Sequence, residues 1–227
     1  LAKYNEQGNE ISYTVSEKEV SIDDLKFYTN EITGDYKAGI NIKVVKFKKR
    51  GKPNENIRLE DINFINLDKE PFDNEMKDEE GNNIGWEASR LYEILGNKKY
   101  LFAVFWEDEE GTIFKGCQLW AMPDDDLEVV KDAWIKLKIK IRNGVKFEIN
   151  GNIVTNNLTK SSENGIFHVR PHAKNSFYKF TDGIEIGNGN ISDTDLLPSG
   201  DRMTRQAYWL NRSYIDRQLD DTLRRDY

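Results

Sequence analysis

The chain has 227 residues, enough for one large domain or two small ones, and its 37% apolar and 11% aromatic content supplies a packed core and excludes a disordered chain. Its 33 basic and 40 acidic residues give a net charge of -7. Mean hydropathy is -0.74, and no apolar run is long enough to span a bilayer, which excludes a transmembrane helix and a membrane partner.

Leu1, not Met, opens the chain, and no signal-peptide core follows. Residues 1–34 are expected to be an N-terminal extension or the start of a fragment, and residues 35–227 one domain. SIDDLKFYTN (21–30) reads as a short helix with Ser21 as N-cap. INIKVVKF (40–47) reads as a strand, KKRGKPNEN as a turn with a basic tip, and IRLEDINFINL as a returning strand. YLFAVFW (100–106) and IFKGCQLWAM (113–122) form a second pair, expected to be buried on both faces. DDDLEVVKDAWIKLKIKIRNG is the clearest helix. Leu127, Val130, Trp134, Leu137 and Ile141 make one apolar stripe. Asp124, Asp125 and Asp126 at its start and Lys138, Lys140 and Arg142 at its end suit its dipole. VKFEINGNIV carries the hairpin pair Asn150-Gly151, and IFHVR (166–170) is a further strand. Residues 177–202, rich in Gly, Asn and Asp, read as a long loop. A final helix begins near Ser213, with Tyr214, Ile215, Leu219 and Leu223 on its apolar side. The fold class is α/β (α+β), a mixed sheet flanked by helices.

Charge is distributed unevenly along this frame. Acid crowds into residues 68–80, 107–110 and 124–128, base into residues 43–52 and 170–212. An acidic protein with a basic side can still bind phosphates. Within FHVRPHAKN (167–175), Pro171 stops the strand and leaves Arg170, His172, Lys174 and Asn175 on a short extended stretch. Arg and Lys pair with guanine acceptors or phosphates, and Asn with adenine. In YWLNRSY (208–214), Tyr208, Trp209, Asn211 and Arg212 stand just before the last helix, whose first backbone donors also suit phosphate. Taken alone, the first segment reads more readily as a solvated loop and the second as an aromatic anchor for the last helix.

Their order changes that reading. A strand, RPxAxN, a long loop, aromatic-x-Leu-x-basic-x-aromatic and a terminal helix resemble the MutH-like endonuclease family. KYLFAVFWEDEEGTIFKGCQLWAMPDDDLEVVKDAW and MTRQAYWLNRSYI carry the likeness further, from about residue 34 to residue 227. Within the family, the chain is similar to the C-terminal effector domain of the staphylococcal type II restriction endonucleases that cut GATC. The resemblance implies a PD-(D/E)xK-type fold and duplex DNA containing GATC as partner. It places Arg170 and His172 where strand-end basic residues meet DNA, and Trp209 where an aromatic residue enters near the adenine. His172 stands where the mismatch-repair members have lysine.

The family cuts with an Asp followed by Glu-x-Lys, whose carboxylates hold Mg²⁺. The matching stretch is GDYKAGINIKVVKF, with Asp35 as the acid, Lys43 as the lysine, and Asn41 at the Glu position. Asn is a weaker ligand for a hard cation, and Asp35 lies one residue nearer than the pattern asks. The expectation is a degenerate motif with no catalytic residues, no metal and no cofactor in this domain, its catalytic partner being an upstream MutH-like domain of the same polypeptide. Lys48, Lys49 and Arg50, at the basic tip, are phosphate contacts or a solvated turn. The alternative is an active Mg²⁺-dependent GATC endonuclease, with Asn41 an altered Glu or another acid such as Glu60 in its place. A third reading is a dimerisation module whose basic surface is incidental. His168 and His172 with Cys117 lack a second ligand pair at zinc spacing. The single Cys117 excludes an intrachain disulfide and fits a reducing cytoplasm.

Overall fold

A computed structural model describes residues 3–4, 10–11, 41–48, 52–107 and 111–224. It divides the chain into Leu1–Ile40 and Asn41–Tyr227. In the first unit, β1 (Lys3–Tyr4) pairs antiparallel with β2 (Glu10–Ile11). The helix expected over 21–30 lies outside the described residues, as do Asp35, Lys49 and Arg50.

The second unit is mixed α/β, with several sheets and few helices. One of its two four-stranded sheets starts from β3 (Asn41–Lys48), which runs parallel to β6 (Tyr100–Glu107) and antiparallel to the two-residue β4 (Lys52–Pro53). β7 (Thr112–Trp120) closes the order β4-β3-β6-β7. The expected hairpin of two long strands does not form. Strand pairing with β3 ends at Pro53, with one further main-chain bond from the Asn54 N–H to the Lys46 carbonyl at 2.8 Å. IRLED instead becomes β5 (Ile57–Asp61) of another sheet, and FINLDK becomes helix α1 (Phe64–Lys69), capped by Asn63. β6 is mostly buried, as its apolar run predicts, whereas β7 is an edge strand with Ile113 and Leu119 both 56% exposed.

Helix α2 (Arg90–Leu95) precedes β6, and α3 (Asp124–Arg142) follows β7 where the stripe predicts it. Leu127, Val130, Trp134, Leu137 and Ile141 are all buried. The basic residues at its end do something other than complement its own dipole. Lys138 is fully buried, its ammonium 4.1 Å from the Phe72 ring and 4.5 Å from the Trp134 ring, and it donates to the Glu70 carbonyl. Arg142 donates to the Asp68 and Glu70 carbonyls at 3.1 and 3.3 Å. Both cations therefore satisfy the orphan carbonyls at the end of α1. Burial pushes the Lys138 ammonium down to about 8.

β8 (Phe147–Asn150) and β9 (Ile153–Asn156) form the expected hairpin, and α4 (Ser161–Asn164) leads into β10 (Phe167–Pro171). Residues 177–202 are not a loop. They hold β11 (Phe177–Lys179), β12 (Glu185–Gly187) and β13 (Thr194–Leu196), which join β14 (Arg202–Thr204) in a four-stranded sheet ordered β12-β11-β14-β13. The Gly and Asp content is turn chemistry: Gly183 and Gly200 adopt φ of 92° and 90°, which side chains with a Cβ rarely reach.

β15 (Gln206–Leu210) is the centre of the three-stranded sheet β10-β15-β5. The chain ends in α5 (Arg212–Gln218) and α6 (Asp221–Arg224), two short helices where one was expected, with Tyr214, Ile215, Leu219 and Leu223 buried as the pattern requires. Tyr214 Oη donates to Asp126 at 2.7 Å and ties α5 to the start of α3.

Candidate functional site

The three-stranded sheet has two chemically different faces. Side chains alternate along a strand, so Phe167 and Val169 of β10, Tyr208 and Leu210 of β15, and Ile57 and Leu59 of β5 turn to the core. The alternate positions, His168 and Arg170, Trp209, and Arg58, share the opposite face. In register, His168 pairs with Trp209, and Trp209 pairs with Arg58 on its other side.

Trp209 anchors this face. The exposed Arg170 guanidinium lies 4.6 Å from the indole centroid, and the His172 ring lies 6.1 Å from it. A cation–π contact uses the flat face of the guanidinium and leaves its in-plane N–H donors for another partner. Trp209 Nε1 and Arg58 Nε are both shielded from solvent without a hydrogen-bond partner in the protein. His172 Nδ1 is 3.3 Å from Asp61, and its backbone N–H donates to the Arg205 carbonyl at 2.8 Å.

Beneath the surface, His168 Nδ1 meets Asn211 Oδ1 at 2.5 Å. Asn211 Nδ2 donates to the Ser161 carbonyl at 3.2 Å, so the amide oxygen faces the imidazole and the proton sits on Nδ1. Burial holds the His168 imidazole below its ordinary range, aided by the Arg170 charge. The pair joins β10, α4 and the entry to α5, and it supports the face above it.

A cleft of about 740 Å³ opens beside Trp209. Arg170, Trp209 and Arg212 line it, with Asn54, Glu55 and Asn56 on one side and Ser161, Ser162 and Ser213 among the rest. Arg212 fastens the 54–56 wall: its backbone N–H donates to Asn56 Oδ1 at 2.9 Å and Nη1 to the Asn54 carbonyl at 3.3 Å. The first backbone donor of α5 is thus already engaged, contrary to the expectation that it would face phosphate.

The structure brings Arg170, His172, Trp209 and Arg212 to one surface. Asn211 lines the cleft but is only 4% exposed and is held by His168 and Ser161. Tyr208 is a correction: it is 3% exposed, on the core face beside Phe167, where no ligand reaches it. Lys174 and Asn175 are exposed on the link from β10 to β11, outside the cleft lining. Lys48 is exposed at the end of β3, also outside that lining. The neighbouring Lys46 pairs with Glu107 at 2.7 Å. Arg58, Asp61, Asn54, Asn56 and Ser161 were missed as site residues. Their only sequence signal is polarity, because pairing with β15 and contact with Arg212 bring them in.

The degenerate motif presents a different picture. Asn41 and Lys43 share a side of β3, and Lys43 Nζ donates to the carbonyls of Arg58 at 2.7 Å and Leu59 at 3.5 Å. Burial, with the Arg58 charge, pushes that ammonium below its usual range. Glu60 is paired with Arg90. A Mg²⁺ site needs several hard oxygen ligands. Among the described residues no cluster of three His, Cys, Asp or Glu side chains is placed to hold a metal. The donors at Asn41 and Lys43, a neutral amide and a cation, do not fit one.

No protein-family model matches the chain. An alignment 201 positions long, covering 82% of the chain, is 31% identical to the type II restriction enzyme Sau3AI of Staphylococcus aureus. The chain spans 39% of that enzyme's length. Taken with the resemblance carried by FHVRPHAKN and YWLNRSY, this identity shows that the chain is related to the type II restriction enzyme Sau3AI.

Proposed function

We propose that residues 35–227 form a non-catalytic effector domain that binds duplex DNA containing GATC, within a type II restriction enzyme whose cutting is done by another MutH-like domain of the same polypeptide. The observation that carries this reading is the Arg170 guanidinium held over the Trp209 ring at the mouth of a polar cleft. The pair supplies charge for phosphate and N–H donors for a base edge at one strand end. The relative is a restriction enzyme more than twice as long as the stretch it shares, which leaves room for a second domain. The PD-(D/E)xK pattern that the resemblance implies needs a Glu where this sequence has Asn41, and that amide removes a Mg²⁺ ligand. The domain binds DNA without Mg²⁺ and without a cofactor.

Gel retardation and cleavage assays on GATC and scrambled duplexes, each with and without Mg²⁺, test this reading. Retardation that favours GATC, weakens with salt and leaves the strands intact is expected. Mg²⁺-dependent cutting at GATC would establish the active-endonuclease alternative instead. Equal binding to both duplexes would leave the chain as a module with an incidental basic surface.

A further inference from the structure

The pairing of β15 with β5 contains an irregularity with a chemical consequence. Ala207 pairs with Asp61 and Trp209 with Arg58, so two steps on β15 match three on β5. The extra residue is a β-bulge, a device that re-aims side chains. Without it, Arg58 and Asp61 would point to opposite faces of the sheet. With it, both stand on the Trp209 face. Arg58 Nη2 is 2.8 Å from Asp61 Oδ1, and His172 Nδ1 is 3.3 Å from the same oxygen, which is shielded from solvent and holds both by charge, outside hydrogen-bond geometry. One carboxylate thus joins a side chain of β5 to one just past the end of β10, the two strands that flank Trp209. The charged groups around it are Arg58 on its own strand, Arg170 beside His172 on β10, and Asp195 of β13, which senses both Asp61 and Arg205.

A carboxylate on a surface that meets phosphates opposes binding by its charge. Its side chain is 37% exposed, so it is not sealed away in the core. Its position is explained by what it holds. We infer that Asp61 is a positioning residue of the DNA-reading face, orienting the His172 imidazole and the Arg58 guanidinium beside Trp209 so that they meet base edges in a fixed geometry. This rests on the DNA-binding reading above. Asp61 itself contacts no DNA. Arg58 joins Arg170 and His172 as a reading residue.

The signature is a loss of discrimination without a loss of general affinity. Removing a negative charge raises non-specific affinity for DNA, whereas releasing the two readers lowers affinity for the specific site. Asp61→Asn is therefore expected to weaken binding to the GATC duplex about tenfold while binding to a scrambled duplex holds or rises by up to about threefold. Asp61→Glu, which keeps the charge on a longer arm, recovers part of the lost preference. In a double-mutant cycle, Asp61→Asn added to His172→Gln costs clearly less than the roughly tenfold it costs alone, because one of the two groups it positions is already gone. Arg58→Gln gives a selective loss in the same direction and stands in for Asp61→Asn if that variant does not fold.

Equal changes on both duplexes would overturn the inference, since a structural or bulk-charge role moves them together. Additivity with His172→Gln would also overturn it. A wild-type chain that binds both duplexes alike would instead sink the parent reading of GATC recognition, an outcome visible before any variant is made.

Discussion

The sheet β4-β3-β6-β7 and the sheet β10-β15-β5 place their cations differently. Each buries an apolar face: Val45, Phe47, Phe102 and Val104 in the first, Phe167, Tyr208 and Leu210 in the second. In the first, Lys43 is bonded to main-chain carbonyls of β5, a strand of the second sheet. Those carbonyls belong to the fold, so a ligand that drew Lys43 away would leave them unpaired. In the second, Arg170 rests on an indole ring. A ring contact holds the guanidinium in place and leaves its edge available. The first arrangement makes a cation structural, and the second keeps it ready for a ligand.

The largest expected effect tests whether the two sheets form one cooperative unit. Phe102 on β6 is fully buried and stacks on Trp120 at 5.2 Å. Phe102→Ala should destabilise by about 3–5 kcal/mol, and both sheets should melt in one transition by circular dichroism and tryptophan fluorescence. Two separated transitions would break the comparison by making the sheets independent. Next, Arg170→Ala should weaken GATC binding by about 1–3 kcal/mol, in fluorescence anisotropy, with little change in melting temperature. A melting loss as large as the binding loss would show Arg170 to be as structural as Lys43.

Asn211→Ala leaves His168 Nδ1 without its acceptor and should cost about 1–3 kcal/mol of stability in urea denaturation. His168 also sets an acid limit. Its native imidazole is held below the ordinary value of 6.5, so the unfolded chain binds a proton that the folded chain refuses. Stability from this group is complete above about pH 6.5 and falls as pH drops below it, with a slope approaching about 1.4 kcal/mol per pH unit. His168→Gln should remove that part of the acid slope. The smallest expected effect is at the degenerate motif. Asn41→Glu should yield no Mg²⁺-dependent cleavage of GATC duplexes, because Lys43 remains engaged by the β5 carbonyls. Cleavage by that variant would show that one carboxylate alone separates the two states.

Much of this was legible in residue order. The 3.6-residue stripe from Leu127 to Ile141 located α3, because one buried face suffices to define a long amphipathic helix. The apolar run at Tyr100 located β6, and Pro171 marked the end of β10. Short segments were less readable. FINLDK continues an apolar pattern from IRLED, yet the Asn63 cap turns it into helix. Residues 177–202 read as loop because strands of three residues show too few alternations to stand out against their turns.

For the site, the sequence by itself determined which residues had suitable chemistry: Arg170, His172 and Trp209 lie in segments whose order also pointed to restriction endonucleases. It did not determine which of them would share a surface. Tyr208 and Trp209 are adjacent in the chain and face opposite sides of the sheet, one in the core and one at the cleft. Arg58 and Asp61 reach that cleft face only through pairing with β15 and a bulge in the register. Alternation along a strand fixes which side chains point the same way, but strand pairing decides which of the two faces meets the core, and that choice is made only in the tertiary structure.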